Sequence, residues 1–386
     1  TGSGVAWEDT SSGATYKTFG TSSIMIGDNA TGTIDAADYN TGVGVDIFAA
    51  LTTGDSNTAL GFAALTANTT GNYNTAVGYQ ALDANTTGER NNAVGYGALG
   101  TVTTASYNTA MGHSALYANT TGASNSAFGN DALTANTTGT YNAALGSNAL
   151  AANTTASNNT ALGFYALKVN TTGAGNTAVG SDALQKNTTA SDNTAVGKHA
   201  LLENTTGEQN TAMGSLSMDA NTTGNYNASI GYNSMGANTT GSRNAALGYS
   251  ALGANTTGDY NTAIGMYSLD ANTTADNNTA VGYNSLTATT TGADNTAVGE
   301  ASLSANTTGG TNTAVGAEAL QANTTASNNV AVGYAAMVTN TTGASNVAVG
   351  RSALEANTTA SNGTALGYGA LAANTTGADN TAIGKD

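Results

Sequence analysis

The sequence predicts an all-β chain folded as a parallel β-solenoid (β-roll) with one 17-residue repeat in each coil. Glycine recurs every 17 residues from Gly27 to Gly384 without an insertion or deletion, and such a fixed period indicates stacked repeats. The unit Asn-Thr-Ala-Val-Gly-Tyr-x-Ala-Leu-x-Ala-Asn-Thr-Thr-Gly-x-x is too short for a pair of helices and contains many poor helix formers. Short strands with Gly and Asn corners fit this unit better.

The repeat divides the chain into three parts. Repeat positions are numbered 1 to 17 from the Asn of Asn-Thr-Ala, and the regular β-solenoid covers residues 57–386. Residues 23–56 are two degenerate transition coils, in which Ile47-Phe48 replaces Ala-Leu, and residues 1–22, with Trp7, form an N-terminal non-repeat segment. The sequence stops within a coil, so we expect further chain or another subunit to cover that edge.

Each part of the repeat has a predicted place in the coil. Positions 2 and 4 share one face of a strand because strand side chains alternate, and we expect this face to point inward. The glycine at position 5 then turns the chain, and the Ala-Leu pair at positions 8 and 9 forms a second strand. The predicted core includes Val77, Leu82, Val94 and Leu99. The predicted structural turn glycines include Gly61, Gly78, Gly95 and Gly112.

The composition narrows the classes of function. The chain has no Cys and no Pro, and its formal net charge is −16. Without cysteine it offers no disulfide or thiolate chemistry, and without clustered basic residues it is a poor partner for nucleic acid. No apolar run approaches the length of about 18 residues that indicates a membrane span. No nucleophile–base–acid set recurs, and His113 and His199 lie five coils apart. We therefore expect no enzyme activity, catalytic residue, cofactor or metal.

Two segments carry a family resemblance. Asn329–Gly333 (Asn-Val-Ala-Val-Gly) and Ser345–Gly350 (Ser-Asn-Val-Ala-Val-Gly) resemble the Asn-Ser-Val-Ala-Ile-Gly motif of trimeric autotransporter adhesin (YadA-like) heads. The longer string Asn-Thr-Ala-Val-Gly-Tyr-x-Ala-Leu-x-x-Asn-Thr-Thr-Gly is similar to arrays in phage tail fibre proteins. The resemblance covers roughly residues 23–386. It implies a homotrimeric extracellular β-roll, although the 17-residue unit here is longer than that of the adhesins.

The Asn-Thr-Thr strings allow two interpretations. They are formally N-glycosylation sequons, but stacked coils would place successive Asn residues only about 4.8 Å apart. We favour a ladder in which each Asn amide bonds the copies above and below it. Glycosylation of some Asn, or O-linked sugars on outward Thr, stays open. The Asn residues singled out for ladder formation or glycosylation are Asn68, Asn85, Asn119 and Asn136.

Aromatic residues concentrate at positions 6 and 17, where they flank the same turn region. We expect Tyr73 to lie near Tyr79 and Tyr226 to lie near Tyr232 in a surface aromatic stripe. Such a stripe could stack against sugars of a cell-surface glycan. The interpretation that we favour is contact between chains or ordinary surface cover.

The sequence as a whole favours a structural function. We expect an extracellular homotrimer that serves as the shaft of a phage tail fibre or of a surface adhesin. The alternative is a self-assembling extracellular filament or matrix protein that stacks end to end. A third, less favoured interpretation is a carbohydrate-binding or ice-binding solenoid that uses one ladder face.

Overall fold

The fold is described from a computed structural model of the chain. The structure describes residues 15–19, 22–27 and 36–385, so Trp7 lies outside the described residues. The chain divides into two compact units, Thr1–Thr172 and Gly173–Asp386. Within the described ranges the regular elements are all strands, with no helix among them.

The described residues of the first unit form ten strands. Strand β1 is antiparallel to β2, and each strand from β2 to β9 runs parallel to the strand that follows it. The strands are β1 (Thr15–Phe19), β2 (Ser23–Gly27), β3 (Thr41–Gly44), β4 (Thr58–Leu60), β5 (Thr75–Val77), β6 (Asn92–Val94), β7 (Thr109–Met111), β8 (Ser126–Phe128), β9 (Ala143–Leu145) and β10 (Thr160–Leu162).

The second unit contains thirteen strands, each parallel to the next. They are β11 (Thr177–Val179), β12 (Thr194–Val196), β13 (Thr211–Met213), β14 (Ala228–Ile230), β15 (Ala245–Leu247), β16 (Thr262–Ile264), β17 (Thr279–Val281), β18 (Thr296–Val298), β19 (Thr313–Val315), β20 (Val330–Val332), β21 (Val347–Val349), β22 (Thr364–Leu366) and β23 (Thr381–Ile383).

One coil of the solenoid corresponds to one sequence repeat. In the first unit Thr58 pairs with Thr75, 17 residues later, and the same offset recurs at every parallel pair. The coils from Ser23 onward, including the predicted transition coils, already follow this register. The prediction of an all-β parallel β-solenoid with one 17-residue repeat per coil is confirmed. The homotrimer stays a prediction.

The inward face of each strand carries the residue at position 3 rather than those at positions 2 and 4, and this residue is alanine in every strand from β4 to β23 except at Ser229. In β5, Ala76 is fully buried, whereas Thr75 and Val77 are half-buried. The prediction that Val77 and Val94 form the core is therefore wrong, while Leu82 and Leu99 are fully buried. Limited space is the reason, because a 17-residue coil already encloses the position-9 leucine and two asparagine side chains.

A tight turn replaces the second strand that we expected at positions 8 and 9. Leu82 has φ +51° and Gln80 has φ +53°, so both occupy the left-handed region that residues with a Cβ rarely adopt. The Leu82 N–H still donates to the Ala98 carbonyl of the next coil, at 3.1 Å. The position-9 leucine thus reaches the core through a turn, and hydrogen bonds between coils hold that turn in place.

The glycine at position 5 permits the close approach of successive coils. Gly78 has φ +138°, and a Cβ built on it would lie 2.4 Å from the carbonyl oxygen of Gly95 in the next coil. Gly61, Gly95 and Gly112 have equivalent positive φ values and equivalent contacts with the next coil. These four residues therefore occupy the strand-to-turn corner that the sequence assigned to them, and a side chain there would push the coils apart.

A buried asparagine at position 1 joins each coil to its neighbours. The Asn74 backbone N–H donates to Asn57 Oδ1 at 2.9 Å, and Asn74 Nδ2 donates to the Gly88 carbonyl at 2.9 Å. The same pattern repeats at Asn91 and Asn108. Buried polar groups require hydrogen-bond partners, and this ladder supplies them for the asparagine side chains inside the coils.

The coil of residues 40–56 has a different interior. Ile47, Phe48 and Leu51 are fully buried, and Gly42 stands where other coils have the position-3 alanine. A Cβ on Gly42 would lie 2.6 Å from Ile47 Cδ1 and 3.0 Å from Phe48 Cε2. The larger apolar residues therefore fit only because position 3 has lost its methyl group.

Candidate interaction surface

The residues at positions 2 and 4 form an outward face on each unit, and this outward face is uncharged, with threonine at most position-2 sites and an apolar side chain at every position 4. Position 4 carries Val, Leu, Met, Phe or Ile in every coil from Val43 to Ile383. Neither position carries a charged residue in any of these coils. Leu60 in the first unit and Leu247 in the second are each 47% exposed in the single chain. Contiguous apolar surface of this kind marks an interaction site in soluble proteins.

At four coils a small outward residue stands beside a bulky one. Alanine or serine at position 2 occurs only beside a bulky residue at position 4, in the pairs Ser126–Phe128, Ala143–Leu145, Ala228–Ile230 and Ala245–Leu247. In other coils threonine stands beside Leu60, Met111 or Ile264 as well as beside valine, so the volume of the layers varies along the chain. In the four coils the small residue offsets part of the volume of its neighbour, as packing against another surface favours.

The outward face of the first unit also contains a shallow depression of about 230 Å³. It lies above Ala143, where position 2 lacks the usual threonine atoms, and Phe128, Leu145 and Leu162 form its apolar walls. A side chain of a second molecule could fill this space without desolvating a charged group.

A column of stacked aromatic rings runs along one edge of the outward face. In the first unit this position-six column consists of Phe62, Tyr79, Tyr96 and His113. Successive ring centroids lie 5.0 to 5.2 Å apart, with interplanar angles of 4° to 14°. Tyr79 and Tyr96 therefore have a ring on each face, and they present their edges and hydroxyl groups outward.

A second column, at position 17, precedes the strand and so flanks the opposite edge. In the first unit this position-seventeen column consists of Tyr73, Arg90 and Tyr107. The Arg90 guanidinium carbon lies 5.2 Å from the Tyr73 ring centroid and 5.4 Å from that of Tyr107. Arg90 Nη1 donates to Tyr107 Oη at 2.9 Å and lies 3.7 Å from Glu89 Oε2. The second unit repeats the arrangement at Tyr226, Arg243 and Tyr260.

The expected pairing of Tyr73 with Tyr79 is wrong, and so is that of Tyr226 with Tyr232. Among the described residues, the ring of Tyr73 contacts Arg90 and the ring of Tyr79 contacts Phe62 and Tyr96. Tyr226 likewise contacts Arg243, while Tyr232 stacks on Tyr249. A 17-residue period aligns each residue with its copy in the next coil, so columns form along the solenoid rather than across it. In the sequence this arrangement is visible as the 17-residue spacing that separates Tyr73 from Arg90 and Arg90 from Tyr107.

The asparagines at position 12 are buried inside the coils. Asn68, Asn85, Asn119 and Asn136 are fully inaccessible. Asn85 Nδ2 donates to Asn68 Oδ1 at 2.9 Å and to the Gly88 carbonyl at 3.1 Å. Asn136 Nδ2 makes the equivalent bonds to Asn119 Oδ1 and to Gly139. These amide nitrogens therefore form a ladder, and the folded chain offers none of the four to a glycan.

The position-12 ladder has identifiable breaks. Val102 replaces asparagine in one coil of the first unit, and Asn85 Oδ1 below it has no hydrogen-bond donor. Thr289 causes the same defect in the second unit, where Asn272 Oδ1 has no donor. At both breaks the residue 17 positions later has no side-chain amide, which agrees with the direction in which the ladder donates. Asn357 Oδ1 also lacks a donor, because Asn374 Nδ2 donates to the Gly377 carbonyl instead.

Titratable groups do not assemble into a chemical site within residues 15–19, 22–27 and 36–385. No three His, Cys, Asp or Glu residues in these ranges are close enough together to hold a metal ion. His113 Nδ1 lies 3.9 Å from Asp131 Oδ1, and His199 Nε2 lies 3.7 Å from Asp182 Oδ2. Burial raises the pKa of the half-buried Asp270 carboxyl at position 10. No helix in the described ranges is long and apolar enough to cross a membrane.

The chain matches no protein-family model, and no curated protein or solved structure is significantly similar to it. The structural features above are therefore the basis for assigning a function.

Proposed function

We propose that this chain is a structural protein of an extracellular fibre, in which three copies pack their outward faces together to form the shaft of a phage tail fibre or of a surface adhesin. The observation that carries the proposal is the uncharged outward face with a half-buried or exposed apolar residue at position 4, which continues through the coils of each unit from Val43 to Ile383. The resemblance of the repeat to adhesin-head and tail-fibre arrays supports the same assignment.

The compensating sizes of the outward residues support a chain-to-chain contact over other uses of this face. An ice-binding face needs a flat, regular rank of side chains, but Phe128 and Met111 project from neighbouring coils that otherwise carry valine or leucine. A packed interface tolerates this variation, and the small Ser126 beside Phe128 offsets part of the added volume. Burial of the aliphatic residues contributes about 25 cal/mol per Å² of apolar area removed from water.

The mass of the full-length chain in solution tests the assembly. Light scattering or native mass spectrometry over a dilution series should show a discrete species of three chains. An open-ended mass distribution would instead support the self-assembling filament or matrix protein. A single chain at all concentrations would overturn the proposal.

Cysteine labelling tests which surface is covered. The native chain has no cysteine, so Leu60→Cys on the outward face and Thr70→Cys on another exposed surface of the same unit give a matched pair. In the assembled protein a bulky maleimide should modify Leu60→Cys at least tenfold more slowly than Thr70→Cys. Equal rates in an assembly of confirmed mass would show that the outward face is not the contact surface.

A further inference from the structure

We infer that the position-six column of one copy meets the position-seventeen column of a second copy, and that these contacts align the two copies in parallel at the same coil. This inference rests on the proposed self-association. The outward face alone cannot fix how two copies align along the solenoid. The inference therefore names the residues that fix this alignment.

The first argument comes from the placement of the two columns. Tyr73 precedes strand β5 and Tyr79 follows it, so the columns flank opposite edges of the outward face. Both tyrosines are exposed, and no ring contact joins the columns within the described part of one chain. When two parallel copies place their outward faces together, the position-six edge of one necessarily lies beside the position-seventeen edge of the other.

The second argument comes from the way in which the two columns occur together. A Tyr-Arg-Tyr run at position 17 occurs once in each unit, centred on Arg90 and on Arg243. Arg90 has a tyrosine 11 residues before it (Tyr79) and another six residues after it (Tyr96). Arg243 has tyrosines at the same two distances, Tyr232 and Tyr249. Single tyrosines also occur at position six, at Tyr283, Tyr334 and Tyr368, but two consecutive ones occur only beside these two runs. This shared occurrence of residues that do not touch within the described chain supports a contact between chains.

The third argument is chemical. Tyrosine rings cover both faces of the Arg90 guanidinium, so its remaining N–H donors point outward in the plane of the group. Tyr79 and Tyr96 also have covered faces and present hydroxyl groups, which accept hydrogen bonds. The edge of the Arg90 group and the edges of these rings are therefore complementary. The same covered faces leave Tyr79 without a surface on which a sugar could stack.

The register also follows from this pairing. The uncharged outward layers alone allow one copy to slide along another by a whole coil, or about 4.8 Å. A slide of three coils toward the C-terminus would place the position-six column against Ser124, Tyr141 and Asn158, where no arginine lies between two tyrosines. Only the unshifted parallel arrangement matches both Tyr-Arg-Tyr runs with tyrosines of the other copy.

Disulfide formation between two single-cysteine chains tests the inference. One full-length chain carries Tyr79→Cys and the other carries Arg90→Cys, and the two are produced together and then oxidised. A disulfide requires Cα atoms within about 7 Å, so only copies aligned at this coil should form the covalent dimer. Each single-cysteine chain alone should form none. A second pair with Tyr96→Cys and Arg90→Cys samples the neighbouring coil.

The mismatched control pairs Tyr79→Cys with Tyr141→Cys, which lies three coils away. We expect cross-linking of at least one adjacent pair to exceed that of the mismatched pair at least tenfold. An assembly of confirmed mass with a shielded Leu60→Cys but no adjacent cross-link would overturn this inference while leaving the proposed function intact. A chain that stays single would overturn the proposed function itself.

Discussion

The asparagine ladder at position 12 leads to a quantitative prediction for Asn136→Ala. Asn136 makes three side-chain hydrogen bonds, to Asn119 Oδ1 at 2.9 Å, to the Gly139 carbonyl at 3.0 Å and from Asn153 Nδ2 at 2.8 Å. The substitution removes all three and leaves Asn119 Oδ1 buried without its donor. At about 1 kcal/mol for each bond, and more for the orphaned acceptor, the local free energy of unfolding should fall by about 3–5 kcal/mol.

Val102 provides the matched control because it occupies position 12 without making a side-chain hydrogen bond. Val102→Ala removes two methyl groups and should cost about 1.5–2.5 kcal/mol. Val102→Asn should have the opposite effect, because its amide supplies a donor to the orphaned Asn85 Oδ1. After subtraction of the lost methyl burial, the expected gain from Val102→Asn is about 1 kcal/mol.

Amide hydrogen exchange of the full chain measures these local changes. The Thr137 N–H donates to the Thr154 carbonyl in the next coil and reports directly on opening at Asn136. In Asn136→Ala it should exchange about 100-fold faster or more, since a tenfold change corresponds to about 1.4 kcal/mol. Equal costs for Asn136→Ala and Val102→Ala, together with a destabilising Val102→Asn, would refute the assignment of stability to the ladder.

Two further predictions concern the corner and the turn of the coil. Gly78→Ala should lower the local free energy of unfolding by roughly 2–6 kcal/mol, because strain at φ +138° adds to the 2.4 Å approach to Gly95. Gly97→Ala is the control and should cost only about 1–2 kcal/mol, because its φ is +59° and its nearest neighbour is a side-chain atom at 3.3 Å; hydrogen exchange that ranks the two equally would contradict this. Burial raises the pKa of Asp270 above 3.8, so the folded chain holds this proton more tightly and stability declines as the pH rises above that value. Asp270→Asn should flatten this decline in pH-dependent thermal unfolding, and a profile identical to that of the unsubstituted chain would show the reasoning to be wrong.

The sequence allowed the coil and its length to be predicted, but not which side of the strand faces inward. The uninterrupted glycine period specified one coil per repeat, and alternation placed positions 2 and 4 together. Of Ala76 and Val77, the larger Val77 is the residue that the strand pattern predicts in the core. The coil interior has room at this strand only for the Ala76 methyl group. Leu82 and the asparagines at positions 1 and 12 occupy the rest of the coil interior. The alternation of residues along one strand does not reveal how little space they leave.

Two other features of the site differ in how far the sequence could have revealed them. The position-1 asparagine ladder could have been predicted from the repeat, since Asn occupies that position in every coil from Asn40 to Asn380 except at Gly363. The left-handed conformation of Leu82 could not be predicted in the same way, because residues other than glycine rarely adopt φ near +51° and no glycine marks the turn. Hydrogen bonds from the neighbouring coil impose that conformation, so it depends on contacts that local sequence cannot show.

The unusual interior of coil 40–56 has a consequence for folding. Nearly identical coils can pair one period out of step, leaving 17 residues as a loop, with little loss of local contacts. Phe48 and Ile47 fit only beside the glycine at residue 42, so this coil cannot exchange places with a regular one. This coil therefore fixes the register in which the following coils pair. A chain that adds coils outward from this point avoids the kinetic traps that long, self-similar sequences otherwise encounter.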